Sequence, residues 1–414
     1  MPSPAVSTVQ PIGTPPTLSF ENTDIAFATR SDAQMRKAHL LFSSLSQPFL
    51  VRVGIPLSAW MVRIGFPGVR WAVRRTVFEQ FCGGESIEEC DAAVEALGRF
   101  GVKSILDYSV EGEKTEAGFE ATARETLATI ERASSHPHIA FSVFKVTGLA
   151  RFALLEKLGA RETLGADEQA EWGRVRERVR TICQRAHDLG VRLFIDGEET
   201  WIQDVIDELT EEMMARFNRE RALVYNTYQL YRTASLGNLR AALERAKAGG
   251  YFFGAKLVRG AYMEKERARA KERGYPDPIQ PTKAATDTDY DKAMLVCLDN
   301  LDRVALCAGT HNEASCLLLV EELHKRGIAP NDPRVFFSQL YGMSDNISFN
   351  LAKAGYNVAK YLPYGPVRAV LPYLIRRAQE NSAIAGQGGR EVRLIRNELR
   401  RREQARALPA PRQA

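Results

Sequence analysis

Gly249-Gly-Tyr-Phe-Phe-Gly-Ala-Lys-Leu-Val-Arg-Gly-Ala-Tyr262 is the stretch that decides the fold. Two glycines stop a run of helical period over 237–248, and a β-rich run, Phe252–Val258, follows at once. That run ends in two cations and a step with almost no side chain, Gly260-Ala261. Lys256 and Arg259 are three apart and would face opposite sides of a regular strand, so Arg259 belongs to the turn. Cations beside a place where backbone can approach closely suit an anionic or electron-rich group lying flat, and they suit a solvated strand end equally well.

The same unit recurs along the chain. Further β-rich runs fall at Lys103–Leu106, Ile139–Val146, Val191–Ile195, Leu223–Tyr225, Val304–Cys307, Val335–Phe337 and Asn357–Tyr361. Between them lie stretches of helical period at 118–134, 166–189, 203–219, 284–301, 313–326 and 344–354, with Gly190, Gly327 and Gly355 closing helices just before strands. Strands alternating with helices predict a parallel α/β fold, and a count of eight favours a distorted (β/α)8 TIM-type barrel above an open doubly wound sheet. The dinucleotide fingerprint of such a sheet is missing: the one G-x-G spacing is Gly386-Gln-Gly388, with Glu391 at the third glycine's place.

Around the barrel, expected over 85–385, the sequence predicts three extensions: a disordered Pro-rich leader over 1–30, an N-terminal helical arm over 31–84 broken at Pro48, Pro56 and Pro67, and a basic C-terminal tail over 386–414. The first twenty residues hold five prolines and no basic residue, which fits neither a secretory signal nor an Arg-rich transit peptide.

A chain of 414 residues with 45% apolar and 26% charged residues has the composition of a soluble globular enzyme. The net charge of +5 gives no ground for a nucleic-acid partner. Charge gathers in two places, 49–82 and Arg390–Arg402, both amphipathic. The first reads best as helix packed on the body; the second reads equally as packed helix or as contact with an anionic membrane surface. Cys82, Cys90, Cys183, Cys297, Cys307 and Cys316 form no C-x-x-C pair and read as reduced thiols, hence a reducing, cytoplasmic setting. No apolar run is long enough to span a membrane.

In a barrel the chemistry belongs at the C-terminal strand ends. There stand Lys145; Asp196-Gly-Glu-Glu-Thr200, where Asp196 and Glu198 would share a face while Glu199 turns away; Gln229; the opening motif; and Thr310-His311. No H-E-x-x-H accompanies His311, so no zinc site is expected. Beyond the last strand a helix carries Tyr373-Leu-Ile-Arg-Arg-Ala-Gln-Glu-Asn381, in which Glu380 can orient Arg376 at i+4 or Arg377 at i+3. Paired arginines suit a small carboxylate, though from this helix alone a surface ion-pair network is the commoner reading. The inventory lacks a nucleophile with a paired base, a P-loop and a thiolate, which points to a cofactor carrying the chemistry.

Lys256-Leu-Val-Arg-Gly-Ala-Tyr262, Thr310-His-Asn312, Tyr361-Leu-Pro-Tyr-Gly365 and the arginine-pair helix, in this order, resemble the proline dehydrogenase family over roughly residues 85–385. Gln339-Leu-Tyr-Gly-Met-Ser-Asp-Asn-Ile-Ser348 looks like its single-activity branch, which includes the mitochondrial enzymes. The resemblance implies FAD on the C-terminal barrel face, oxidation of L-proline to Δ1-pyrroline-5-carboxylate by hydride transfer from C5 to flavin N5, and a membrane quinone as electron acceptor. It implies that Lys145, Arg376 and Arg377 hold the proline carboxylate, that Glu380 orients the arginines, and that Tyr361 and Tyr373 wall the ring. Gln229, Arg259, Gly260, Ala261, Thr310 and His311 would contact the flavin, with Gly197 close by. Lys256 would lie near the reactive edge, and Asp196 would be the charge partner of Lys145. Glu113 would close over the site by pairing with an arginine. Two departures stand out: Met263 replaces a large aromatic common in bacterial members, and Gly197 replaces a usual alanine. The rivals are hydroxyproline dehydrogenase, whose branch carries serine where this chain has Tyr361, and a Schiff-base aldolase using Lys145 or Lys256.

Overall fold

The computed structural model describes residues 18–45, 47, 54, 61, 64, 66–110, 113–383 and 387–407, except for the side chains of 379–383 and 387–388. Eight parallel strands close into a barrel in sequence order: β1 (Val102–Tyr108), β2 (Ile139–Phe144), β3 (Arg192–Ile195), β4 (Val224–Gln229), β5 (Phe253–Val258), β6 (Val304–Gly309), β7 (Val335–Leu340) and β8 (Val358–Tyr364). Closure is made by β1 and β8, paired from Val102↔Val358 to Tyr108↔Tyr364. The eighth strand runs three residues past its expected end at Tyr361. Pro363 has no N–H to give the ladder, and its carbonyl accepts from Gly83 N at 2.8 Å.

Alternation sorts each strand into an outward face packed on helices and an inward face. Inside, Phe141 stacks on Phe194 (ring centroids 4.3 Å apart), and Tyr225 and Phe336 meet Phe141 edge-on at 5.6 and 5.0 Å. This aromatic plug fills the lower barrel and leaves the upper rung to polar side chains.

A separate apolar cluster joins the arm to the end of the chain: Phe27, Met35 and Phe42 with Leu374, Leu394 and Ile395. Two expected boundaries change as a result. Residues 18–30, read as leader, include a helix at Thr23–Ala26 and the buried Ala26 and Phe27. The basic tail contains a helix, Gln387–Ala407, docked on the arm helix Asp32–Leu45. Its Glu398 is completely buried, accepting from Thr23 Oγ1 at 2.8 Å and from Arg401 and Arg402. Burying Leu394 and Ile395 while pairing the arginines with arm acids such as Asp32 removes the free apolar stripe that a membrane-surface helix needs. Pro48 and Pro56 lie outside the described residues. Among the described residues, no helix is long and apolar enough to cross a membrane.

Candidate active site

The upper rung of the barrel carries a buried charge constellation built from four strands. Lys256 on β5 points inward, donating to Asp196 Oδ1 and, at 2.5 Å, to the Tyr361 hydroxyl of β8. Tyr361 in turn donates to Asp196 Oδ1 at 3.0 Å, and Lys145 Nζ, just past β2, lies 3.5 Å from Asp196 Oδ2. Beneath them the Lys256 ammonium sits 4.5 Å from the Tyr361 ring centroid and 5.1 Å from that of Phe194, so its charge rests on the top of the aromatic plug. Burial pushes the Asp196 carboxyl up, but the charges of Lys256 and Lys145 and the bonds from Lys256 and Tyr361 outweigh it and hold the group below its usual value. Burial raises the Tyr361 phenol well above its ordinary range, so it stays a neutral donor.

The charge partner of Asp196 was expected to be Lys145; both lysines share it, and Lys256 is the nearer. Glu198 does not share the face of Asp196. β3 ends at Ile195, so alternation stops there, and Glu198 turns to the Thr147 backbone N–H (3.0 Å) and hydroxyl. Burial lifts Glu198 to about 7, against the Thr147 bonds and with help from Glu199. Glu199 pairs with Lys265.

Beside the constellation lies a flat polar ledge. Arg259, one residue past β5, spends every guanidinium nitrogen: Nε on Asp287 (2.7 Å), Nη1 on Thr310 Oγ1 (2.6 Å) and Nη2 on Ser315 Oγ (3.0 Å), while it stacks 4.4 Å over Tyr290. Gly260 has φ +135°, and a Cβ there would fall 2.3 Å from the Tyr231 ring, so the ledge needs glycine at this point. Gly260 and Ala261 are exposed. Gln229 donates to the Glu198 carbonyl at 2.6 Å, and a Cβ on Gly197 would stand 3.0 Å from the Thr227 carbonyl and 3.2 Å from Gln229 Nε2. His311 is held through Nδ1 to Ser344 Oγ at 2.9 Å. Burial and the nearby Lys360, Arg377 and Arg259 depress it to about 3, leaving the imidazole neutral.

The helix Leu371–Ala383 brings the arginine pair over this mouth. Arg377 is buried and stacks on Tyr373 at 5.3 Å, and its charge reaches His311. Arg376 and Lys145 both act on the Tyr262 hydroxyl, which burial raises strongly. Tyr262 thus feels the charge of two of the groups expected to take a carboxylate, a role that sequence reading did not assign. The Glu380 side chain lies outside the described residues. Glu113 accepts from Lys114 N, Thr115 N and Thr115 Oγ1 at 2.7–2.9 Å, a local turn that starts the next helix, and the expected pairing with an arginine is not seen among the described residues. Asp107, bonded by Ser109 Oγ at 2.6 Å, also points into the barrel and went unread.

A model of the family described as proline dehydrogenase matches residues 90–390. The chain belongs to the proline dehydrogenase family. It is 44% identical to proline dehydrogenase 1, mitochondrial, of Homo sapiens, over 61% of this chain and 42% of that one. It is 35% identical to the carbapenem antibiotics biosynthesis protein CarD of Pectobacterium carotovorum subsp. carotovorum, over 78% and 83%. With the hydroxyproline dehydrogenase of Xenopus laevis it shares 32% identity over 93% and 90%. The chain covers 34% to 42% of the length of the fly, human and nematode mitochondrial relatives. Among solved structures, proline utilization A from Bdellovibrio bacteriovorus shares the fold, with a TM-score of 0.68 at 19% identity, over 93% of this chain and 42% of that one.

Proposed function

We propose that this protein oxidises L-proline to Δ1-pyrroline-5-carboxylate with FAD, passing the electrons to a membrane quinone. The observation that carries the reading is the Lys145–Asp196–Lys256–Tyr361 constellation beside the Arg259–Thr310 ledge, in a chain of this family. The donor set suits a flavin: a glycine that cannot bear a Cβ, exposed Ala261, a neutral imidazole and a buried ammonium offer donors to a flat, electron-rich heterocycle. Gln229, Arg259, Gly260, Ala261, Thr310 and His311 would hold it, with Gly197 close by. Bound there, flavin supplies the two-electron acceptor for the hydride that leaves proline C5.

The chain's own groups do the rest by positioning. Lys145, Arg376 and Arg377 take the carboxylate, which fixes the ring between Tyr361 and Tyr373. Asp196, kept ionised, balances Lys145 and Lys256 so that the mouth does not carry two bare ammonium groups. Only a neutral substrate amine can release hydride, so the rate rises with pH through the substrate's own titration. A Schiff-base role needs a neutral lysine amine, whereas Lys256 donates to Asp196 and Tyr361 and Lys145 shares the same carboxylate. Assignment to the single-activity branch rests on the run Gln339–Ser348 and remains part of this proposal; the mitochondrial relatives are 30–44% identical.

The test is a visible spectrum of the purified protein before and after adding L-proline. Flavin bands that bleach with proline are expected; a colourless protein unaffected by proline ends the reading. Hydroxyproline is the second substrate to try, given the Xenopus laevis relative. Tyr361→Ser is expected to raise the kcat/KM ratio for hydroxyproline over proline, and an unchanged ratio would remove Tyr361 from substrate choice.

A further inference from the structure

The helix Gln387–Ala407 grips the His311 turn from both sides. On one side Glu391 Oε1 accepts the backbone N–H of Ser344 at 2.6 Å, and Ser344 Oγ bonds His311 Nδ1 at 2.9 Å. On the other, Arg390 pairs at 2.5 and 2.6 Å with Glu313, two residues beyond His311, and Asn346 donates to the same carboxylate at 2.8 Å. Ser344 and Arg161 are the two non-glycine residues with positive φ among those described; Ser344 has φ 49° and ψ 44°. An L-residue holds that conformation only where its surroundings over-determine it. Here the determinants are Glu391 on its N–H and the start of the helix Asp345–Lys353, whose Ile347 and Ser348 amides bond its carbonyl at 3.1 Å.

We propose that Glu391 is a positioning residue for His311, holding Ser344 in its left-handed conformation so that the serine hydroxyl fixes the imidazole through Nδ1. The bond holds the ring in one tautomer: when the serine hydroxyl donates to Nδ1, the ring proton sits on Nε2 and faces the flavin; this rests on the flavin-facing role proposed above. The carboxyl occupies an expensive place: burial and Asp345 raise it to about 7, against the Ser344 amide, Arg30 and Lys360. Simple packing of the helix would be served by an apolar side chain there.

The test is a double-mutant cycle on the holoenzyme with Glu391→Ala and Ser344→Gly, reading flavin dissociation together with the ¹⁵N signals of His311, assigned by His311→Ala. Glu391→Ala is expected to weaken flavin retention at least tenfold and to turn a single His311 tautomer into a mixture. In the Ser344→Gly background the same change costs less than twofold, because the bridge is already cut. Glu391→Gln keeps an acceptor oxygen and stays within about threefold of wild type, which separates loss of the bond from loss of the fold. An unchanged His311 tautomer in Glu391→Ala, or effects that simply multiply in the double variant, would overturn the proposal. Should the wild type bind no flavin, the functional reading fails while the tautomer measurement still decides the positioning role.

Discussion

Replacing Lys256 by methionine keeps the length of the stem and removes the ammonium, leaving Asp196 buried with Lys145 at 3.5 Å and the Tyr361 hydroxyl at 3.0 Å. Breaking a buried pair from one side costs about 3–5 kcal/mol, since the stranded charge keeps its desolvation penalty. The surviving lysine and phenol put this case near the lower end, about 3 kcal/mol. The pH dependence follows from the sign of the shift. In the wild type Asp196 is held below its usual value, so its stabilisation is present above an unfolded pKa of about 3.9 and is lost as pH falls through the folded one. Without Lys256 the carboxyl rises, and the deficit is full at pH 8 and shrinks as pH falls toward about 4, because the variant's folded carboxyl takes up its proton at a higher pH than the wild type's while the unfolded carboxyl is common to both. Adding Asp196→Asn should restore about 2 kcal/mol at pH 8, because the uncompensated charge is gone. The assay is urea unfolding followed by circular dichroism across that pH range. A deficit below about 1 kcal/mol at pH 8, or one that neither varies with pH nor responds to Asp196→Asn, would refute the reasoning.

Gly260→Ala should destabilise by about 3 kcal/mol, since its Cβ meets the Tyr231 ring at 2.3 Å and φ is +135°; urea midpoints with and without a compensating Tyr231→Leu check this. Glu198, raised to about 7, favours the protonated form in the fold, so wild-type stability falls as pH climbs from about 4.3 through 7, by up to about 3 kcal/mol. Glu198→Gln should therefore gain on wild type as pH rises from 5 to 8; parallel Tm curves would contradict it. Glu398→Gln leaves Arg401 and Arg402 without their shared buried partner. A loss of about 3 kcal/mol and faster tryptic cleavage within 387–407 are expected, and an unchanged cleavage rate would argue against the docking role.

The barrel was legible because its signal is local and repeated: eight β-rich runs alternate with stretches of helical period, four of which a glycine closes just before the next strand, and closure adds nothing the pattern contradicts. Lys145, Lys256 and Thr310 were legible as polar residues at apolar strand ends. Their partners were less so. Whether Asp196 meets Lys145 or Lys256 depends on the stagger between strands β2, β3 and β5, which no window of sequence encodes. Glu198 was misplaced because the strand rule was carried past the last ladder residue, Ile195. Glu391 and Glu398 were unreadable for a different reason. Each is an ordinary charged residue in a charged helix or loop until the arm and the C-terminal helix are brought together, and that contact follows from tertiary packing alone.

The bond between Thr23 and Glu398 joins residues 375 positions apart. A ribosome-bound chain that has finished all eight strands therefore still lacks both the buried carboxylate that locks the arm and the one that steadies Ser344. Closing so long a loop is slow, and it comes after the local βα units have formed. The barrel can therefore mature early, while the arm and the Ser344 turn are locked only once the helix Gln387–Ala407 has been made and has docked.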